Sequence, residues 1–408
     1  MILEDRLNQL SVGADKVKML SKWNIIKEDT EAKLKTVCGY FPHFSKHDVS
    51  HSIVIATHIG NLLGEDRVNK LSYSDILIML MCFYKHDIGM ALEYEEVYKR
   101  FHEDSFNDTL KKYLDDKTSD LHNVAKRLQN FGGHFKDNDY ESSIDVYNDV
   151  ILLIEDIYRS DHAQRSAEAV MNDSFLGNAV HNRIQKIIAD ICAVHQKSIE
   201  EILKLEYKEN GLFGDYFHPR FIAAMLCLGD LLDLDTDRFD EIMIKASTPF
   251  PHLSKLHLEK HKSVCHFLVS FNNIELRADT KTIEVYRVFR KWVDWMQEAC
   301  DYIAIHWSEI SPDDFGNAPR ITKCDLLLNG NTKWLPFANT RYQISSKRMF
   351  ELLQGSGIYR NKFVCIREII QNAVDATLLR LFNEKELSKE DPSILEKLKE
   401  INWDDYKI

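Results

Sequence analysis

The stretch YSDILIMLMCFYKHDIGM, Tyr73 to Met90, decides the reading of this chain. Its longest apolar run is nine residues, Ile76 to Tyr84, between Asp75 and Lys85. That is far short of the ~20 residues needed to span a bilayer, so it reads as a helix buried in a protein core. The helix ends on His86 and Asp87, behind turns made of Met79, Leu80, Cys82 and Phe83. Polar side chains at such a place are costly unless something uses them. As neighbours on a helix they point ~100° apart, so the two can approach one ion from two sides.

The same anomaly recurs along the chain. In SHSIVIATHIGNLL, His51 shares a face with Ile55, Ile59 and Leu62. His195 lies on the stripe Ile184, Ile187, Ile188 and Ile191, and Asp230 on Ile222, Ala223, Leu226, Cys227 and Leu234. His162 opens a weaker stripe of Ser166, Ala169 and Val170. One histidine on an apolar face is more often a satisfied core residue than a ligand; six such residues together point to a metal. Imidazole and carboxylate donors suit a divalent transition metal of the manganese, iron, zinc or nickel class better than an all-oxygen calcium or magnesium cage. A second His-Asp doublet, His47 and Asp48 in KHDVSH, begins its helix, and Asp48 reads as a cap. Arg159, Arg165, Arg183 and Lys197 flank the candidate ligands and could hold phosphate oxygens, although flanking charges are usually a solvated face.

This order of residues resembles the HD superfamily of metal-dependent phosphohydrolases: a His, a later His-Asp pair and a distal Asp on successive helices. The resemblance covers about residues 35–240 and assigns metal-ligand roles to His51, His86, Asp87 and Asp230, with His162 and His195 at the positions that two-metal branches use for a second ion. Such a site would have Asp87 bridging two metals and Asp87, His162 and His195 carrying the chemistry, while the flanking Arg159, Arg165 and Lys197 stay candidates for phosphate contacts. One departure stands out: many members read HDIGK, and this chain reads HDIGM, with Met90 in place of the lysine.

Length and composition frame this reading. The 408 residues allow two or three domains, and 44% hydrophobic with 28% charged residues describes a chain with ample apolar surface for a core. The net charge of −12 shows no global basic field for duplex nucleic acid or anionic membranes. The eight cysteines form no C-x-x-C pair and the N-terminus has no signal-peptide pattern, which together suggest a reducing cytoplasm and no membrane. Helical periodicity fills most of residues 1–245, a more polar stretch at 92–150 reads as an insertion or lid, and 260–280 reads as a β-hairpin turning at Asn272 and Asn273. The expected architecture is mainly α: a helical HD-type bundle over 1–310 with a small β-hairpin appendage, then a Pro- and Gly-rich linker over 311–336.

The last segment, 337–408, carries YRNKFVCIREIIQNAVDATLLRL, in which Glu368, Asn372 and Asp375 fall on one helical face. Such a stripe is ordinarily a solvated surface, but the string closely resembles the N-box of the GHKL ATPases, the fold of gyrase and the ninety-kilodalton heat-shock chaperones. The resemblance implies that Asn372 coordinates nucleotide-bound magnesium, Glu368 orients the attacking water and Asp375 supports the network. The family's later glycine boxes have no counterpart, since no glycine follows Gly357. The expectation is therefore an incomplete α/β ATPase fragment of a longer protein, with Mg-ATP bound, and a homodimer formed, only in that longer protein. The combined expectation is a phosphohydrolase acting on a nucleotide, a dinucleotide or single-stranded nucleic acid, regulated by a chaperone-like ATPase and suited to bacterial defence against phage. Its alternative is a non-catalytic regulatory or interaction module of such an ATPase.

Overall fold

The computed structural model describes residues 2–43, 48–117, 119, 121–131, 142–234, 252–330, 369–377 and 379. The chain divides into two units, 1–334 and 335–408. The first is mainly helical. Its N-terminal half runs α1 (Ile2–Leu10), α2 (Ala14–Leu34), α3 (Val37–Tyr40), α4 (Val49–Val68), α5 (Tyr73–Lys85), a 3₁₀ turn (Ile88–Met90), α6 (Tyr94–Arg100), α7 (Glu103–Asp115) and α8 (His122–Asn130). It continues with α9 (Ser143–Ser160), α10 (His162–Met171), α11 (Ser174–Ala179), α12 (Asn182–Val194) and α13 (Pro219–Leu231), with a short antiparallel pair β1 (Glu209–Asn210) and β2 (Tyr216–Phe217) between the last two. After α14 (His252–Lys262) come β3 (Val264–Ser270), β4 (Asn273–Thr280), α15 (Ile283–Ile305), α16 (Trp307–Ile310) and β5 (Arg320–Leu328).

The α5 helix is the axis of the core, and every one of its residues is buried. A capping box fixes its start: the Asp75 amide donates to Ser72 Oγ at 2.8 Å and the Ser72 amide donates to Asp75 Oδ2 at 3.1 Å. Its all-round apolar surface requires helices on every side, and α1, α4, α12 and α13 supply them. The α4 and α13 helices cross at Gly229, where an added Cβ would come within 2.7 Å of Ile55 Cγ2. Asp48 caps α4 as expected, accepting from the Ser50 amide at 2.9 Å.

The described part of the 92–150 stretch has a core of its own. Val97, Leu110, Tyr113, Val124 and Leu128 from α6–α8 pack with Leu34, Ile88, Met90, Ile154 and Tyr158. Met90 is 1% exposed, so the position where relatives of this motif carry lysine is here a core contact.

The 260–280 hairpin is present: β3 pairs antiparallel with β4, turning at Phe271 and Asn272, one residue earlier than the sequence suggested. Asn272 takes φ 56°, a conformation Asn tolerates better than most residues. Its Oδ1 accepts from the buried Arg67 at 2.6 Å, which ties the turn to the end of α4. The 311–336 stretch, read as a linker from its Pro and Gly, holds β5, which pairs in parallel with β4; α15 and α16 make the crossover that a parallel pair requires.

In the second unit the described residues 369–377 are helical, with Asn372 and Asp375 exposed. Glu368 and most of the proposed ATPase segment lie outside the described residues.

Candidate metal centre

Each ligand-type side chain sits where a helix begins or ends. His51 is in the first turn of α4, His162 opens α10, and His86 and His195 are the C-cap residues of α5 and α12. Asp87 lies just past α5, at φ −102° and ψ 5°, so chain direction changes between His86 and Asp87 and the two do not follow helical spacing. Asp230 is in the last turn of α13.

The outer nitrogens are all engaged. His86 Nδ1 lies 3.0 Å from the Phe83 carbonyl, His162 Nδ1 2.9 Å from the Arg159 carbonyl and His195 Nδ1 2.6 Å from the Cys192 carbonyl. His51 Nδ1 lies 2.5 Å from Asp233 Oδ2. A carbonyl oxygen only accepts, so three of these Nδ1 atoms donate, and the buried Asp233 carboxylate accepts from the fourth, His51 Nδ1. In the neutral imidazole this leaves the lone pair on Nε2, and all four Nε2 atoms point inward.

There they meet in pairs. His51 Nε2 and His86 Nε2 are 3.2 Å apart, and His162 Nε2 and His195 Nε2 are 3.0 Å apart. Two facing lone pairs repel unless a cation or proton lies between them. With metal–nitrogen bonds of about 2.05 Å, two imidazoles on one ion stand about 2.9 Å apart at a right angle and about 3.3 Å apart at the tetrahedral angle. Both pairs fall inside that range. Asp87 lies between them: Oδ2 is 3.5 Å from His51 Nε2 and 3.3 Å from His86 Nε2, while Oδ1 is 3.1 Å from His162 Nε2 and 3.9 Å from His195 Nε2. Two donor sets result, His51–His86–Asp87 and Asp87–His162–His195, each compact enough to hold an ion. Asp230 Oδ1 stands 3.2 Å from His51 Nε2. With 32% of its side chain exposed against 6% for Asp87, Asp230 marks the side open to solvent.

The electrostatics follow from this packing. Burial pushes His86 and His162 down, but the Asp87 carboxylate outweighs it and holds both above the usual imidazole value. His195 is pushed down to about 4, by burial first and then by its neighbours His86 and His162. Burial would raise Asp230, but its bond to His51 dominates and keeps it well below the ordinary carboxylate range.

The flanking cations behave differently from one another. Arg165 is committed: it pairs with Glu96 through both terminal nitrogens and donates from Nε to the Gly89 carbonyl at 3.0 Å. Arg183 reaches away to Glu209 and the Asn210 carbonyl. Arg159 touches the centre through its backbone carbonyl, and Lys197 is exposed. Among the other histidines, His58 packs edge-on against Phe267, and His47 lies outside the described residues. Sequence reasoning missed Asp233. Its only signal was the repeat of acids in GDLLDLD three residues after Asp230, a spacing that says nothing once α13 has ended at Leu231.

Histidines and aspartates on successive helices, converging on one shared carboxylate, define an HD-type metal domain. The family model of HD-CE matches residues 41–302, well over half of the chain, and the chain belongs to that family. No curated protein and no solved structure matches it. Among the described residues no helix is long and apolar enough to cross a membrane.

Proposed function

We propose that the HD domain is a divalent-metal-dependent phosphohydrolase, a phosphodiesterase, nucleotidase or nuclease whose substrate is a nucleotide, a dinucleotide or single-stranded nucleic acid. The observation that carries this reading is the pair of facing Nε2–Nε2 contacts, 3.2 and 3.0 Å, on either side of Asp87. His51, His86 and Asp87 would hold one ion of the manganese, iron, zinc or nickel class, with Asp230 beside it, and Asp87, His162 and His195 a second. The chemistry such ions supply is Lewis-acid polarisation of a phosphoryl oxygen and activation of water. The chain's own part is preorganisation: the Phe83, Arg159 and Cys192 carbonyls and Asp233 keep all four imidazoles aimed inward, and Asp230 accepts hydrogen bonds from water or substrate arriving at the open side.

The second unit is proposed to belong to a chaperone-like ATPase that regulates this centre, with Glu368, Asn372 and Asp375 as its Mg-ATP contacts. The support is the sequence string alone. A role in cytoplasmic defence against phage would suit such a fusion.

The test is metal content per chain before and after chelation and reconstitution, followed by turnover of nucleoside triphosphates, cyclic dinucleotides and single-stranded DNA and RNA by wild type and Asp87→Ala. Turnover lost in Asp87→Ala supports the enzyme. A folded protein that takes up no transition metal sinks the reading, and a metal-loaded but inert one favours a regulatory module.

A further inference from the structure

A cavity of about 310 Å³ opens between α6, the end of α9 and α10, lined by Glu96, Lys99, Arg100, Ile157, Tyr158, Asp161 and Arg165. None of these is a ligand of the metal centre. Its floor is apolar, formed by the buried Ile157 and Tyr158, with the Arg165 guanidinium 4.8 Å from the Tyr158 ring centroid. Its rim carries two cations on adjacent residues, Lys99 and Arg100. Both are exposed, and neither makes an ion pair or hydrogen bond among the described residues. The exposed Asp161 carboxylate is likewise without a side-chain hydrogen bond there.

We propose that this cavity binds a small phosphomonoester carried on a hydroxyl-bearing sugar, and that its occupation is felt at the metal centre through Arg165. Paired Lys and Arg on one rim suit a phosphate dianion. The exposed Asp161 carboxylate in the same lining can accept from sugar hydroxyls, which stand away from the phosphate, whereas hydrogen phosphate carries its O–H on the phosphorus itself. The apolar floor fits the ring, and the volume lies at the lower end of small-ligand sites.

The coupling runs through direct contacts. Arg165 is held on one side by Glu96 and on the other donates to the Gly89 carbonyl, two residues beyond Asp87. The Gly89 amide donates to Ser166 Oγ at 2.8 Å, and no space separates the two segments: a Cβ on Gly89 would lie 2.4 Å from the His162 carbonyl. A phosphate that competes with Glu96 for Arg165 loosens its hold on Gly89 and so on Asp87. Bound phosphomonoester therefore weakens metal binding, and metal weakens the phosphomonoester by the same factor.

Binding is tested on the chelated full chain, where no metal can capture phosphate, by calorimetry with inorganic phosphate, ribose 5-phosphate and adenosine 5′-monophosphate. The sugar phosphates are expected to bind, with inorganic phosphate at least about tenfold weaker and the surface variant K99Q/R100Q at least about tenfold weaker for all three. Preference for adenosine 5′-monophosphate over ribose 5-phosphate would identify a nucleotide as the ligand; equal binding would identify a sugar phosphate. No binding by wild type, undiminished binding by the variant, or equal binding of inorganic phosphate overturns the site. The coupling, which rests on the metal-dependent reading above, is tested by Mn²⁺ titration with and without the sugar phosphate. A weakening of about fivefold or more is expected, lost in Arg165→Lys. Unchanged Mn²⁺ affinity with the ligand bound overturns the coupling and leaves the metal reading intact. Absence of Mn²⁺ uptake in the ligand-free protein fails the metal reading and leaves ligand binding standing.

Discussion

Asp87 gives one carboxylate oxygen to each histidine pair, Oδ2 to His51 and His86 and Oδ1 to His162 and His195. Asp87→Ala is therefore expected to lose both ions, read as metal per chain by mass spectrometry, whereas His162→Ala should lose one. Asp233 holds His51 from outside both donor sets, so Asp233→Ala should weaken metal binding about 10- to 100-fold. A different carboxylate reports on acid stability. Asp173 Oδ2 lies 2.6 Å from the fully buried Lys85 ammonium, and its Oδ1 accepts from the Leu176 amide at 3.0 Å. Burial alone would raise the Asp173 carboxyl; Lys85 and the Leu176 amide more than offset it and hold it below its ordinary value. Burial likewise lowers Lys85 despite Asp173, yet at neutral pH the pair is the arrangement both groups need. A depressed carboxyl stabilises the fold above its unfolded value near 4 and loses that contribution as pH falls through the folded value. Asp173→Asn should cost about 3 kcal/mol at pH 7 by leaving the buried Lys85 to Asp29, 3.8 Å away, and the gap to wild type in thermal melts should narrow below pH 4.

At the scale of elements, one tight joint is the 3₁₀ turn Ile88–Met90 against α10. A Cβ on Gly89 would lie 2.4 Å from the His162 carbonyl and 2.5 Å from the Ser166 amide, and backbone cannot yield as a flexible side chain can. Gly89→Ala should destabilise by about 1–3 kcal/mol and, by moving Asp87 away from α10, reduce metal at the His162–His195 pair before the His51–His86 pair. Equal occupancy of both sets in that variant would contradict this account of the joint. Most of the elements that carry ligands were readable because they are long amphipathic or wholly apolar helices, with Asp48 marking the start of α4, whereas α10 offered only a weak stripe behind His162. β5 was not readable as part of the domain. The prolines and glycines that flank it are local signals, and its pairing partner β4 lies across α15 and α16.

For the whole first unit, ion binding is linked to folding. At a free ion concentration a hundred times the dissociation constant, each ion adds about 2.7 kcal/mol, so Mn²⁺ should raise the melting temperature by a few degrees, a chelator should cancel the rise, and Asp87→Ala should show none. The sequence by itself determined that the chain is mainly helical and that ligand-type side chains recur on the inner faces of its helices, and it pointed to six candidates among them. Apolar periodicity and local caps act over a few turns and are written in the chain. Only the tertiary structure decided how these residues meet: that Asp87 divides its oxygens between two histidine pairs, that Asp233 anchors His51 from 182 residues away, and that Arg165 is tied to Glu96 and Gly89. Met90 filling a core where relatives of its motif place lysine is of the same kind. The physical reason is shared. Hydrogen bonds, ion pairs and ligand convergence depend on distances between helices, and those distances are set by how whole faces pack, which no short window of sequence contains.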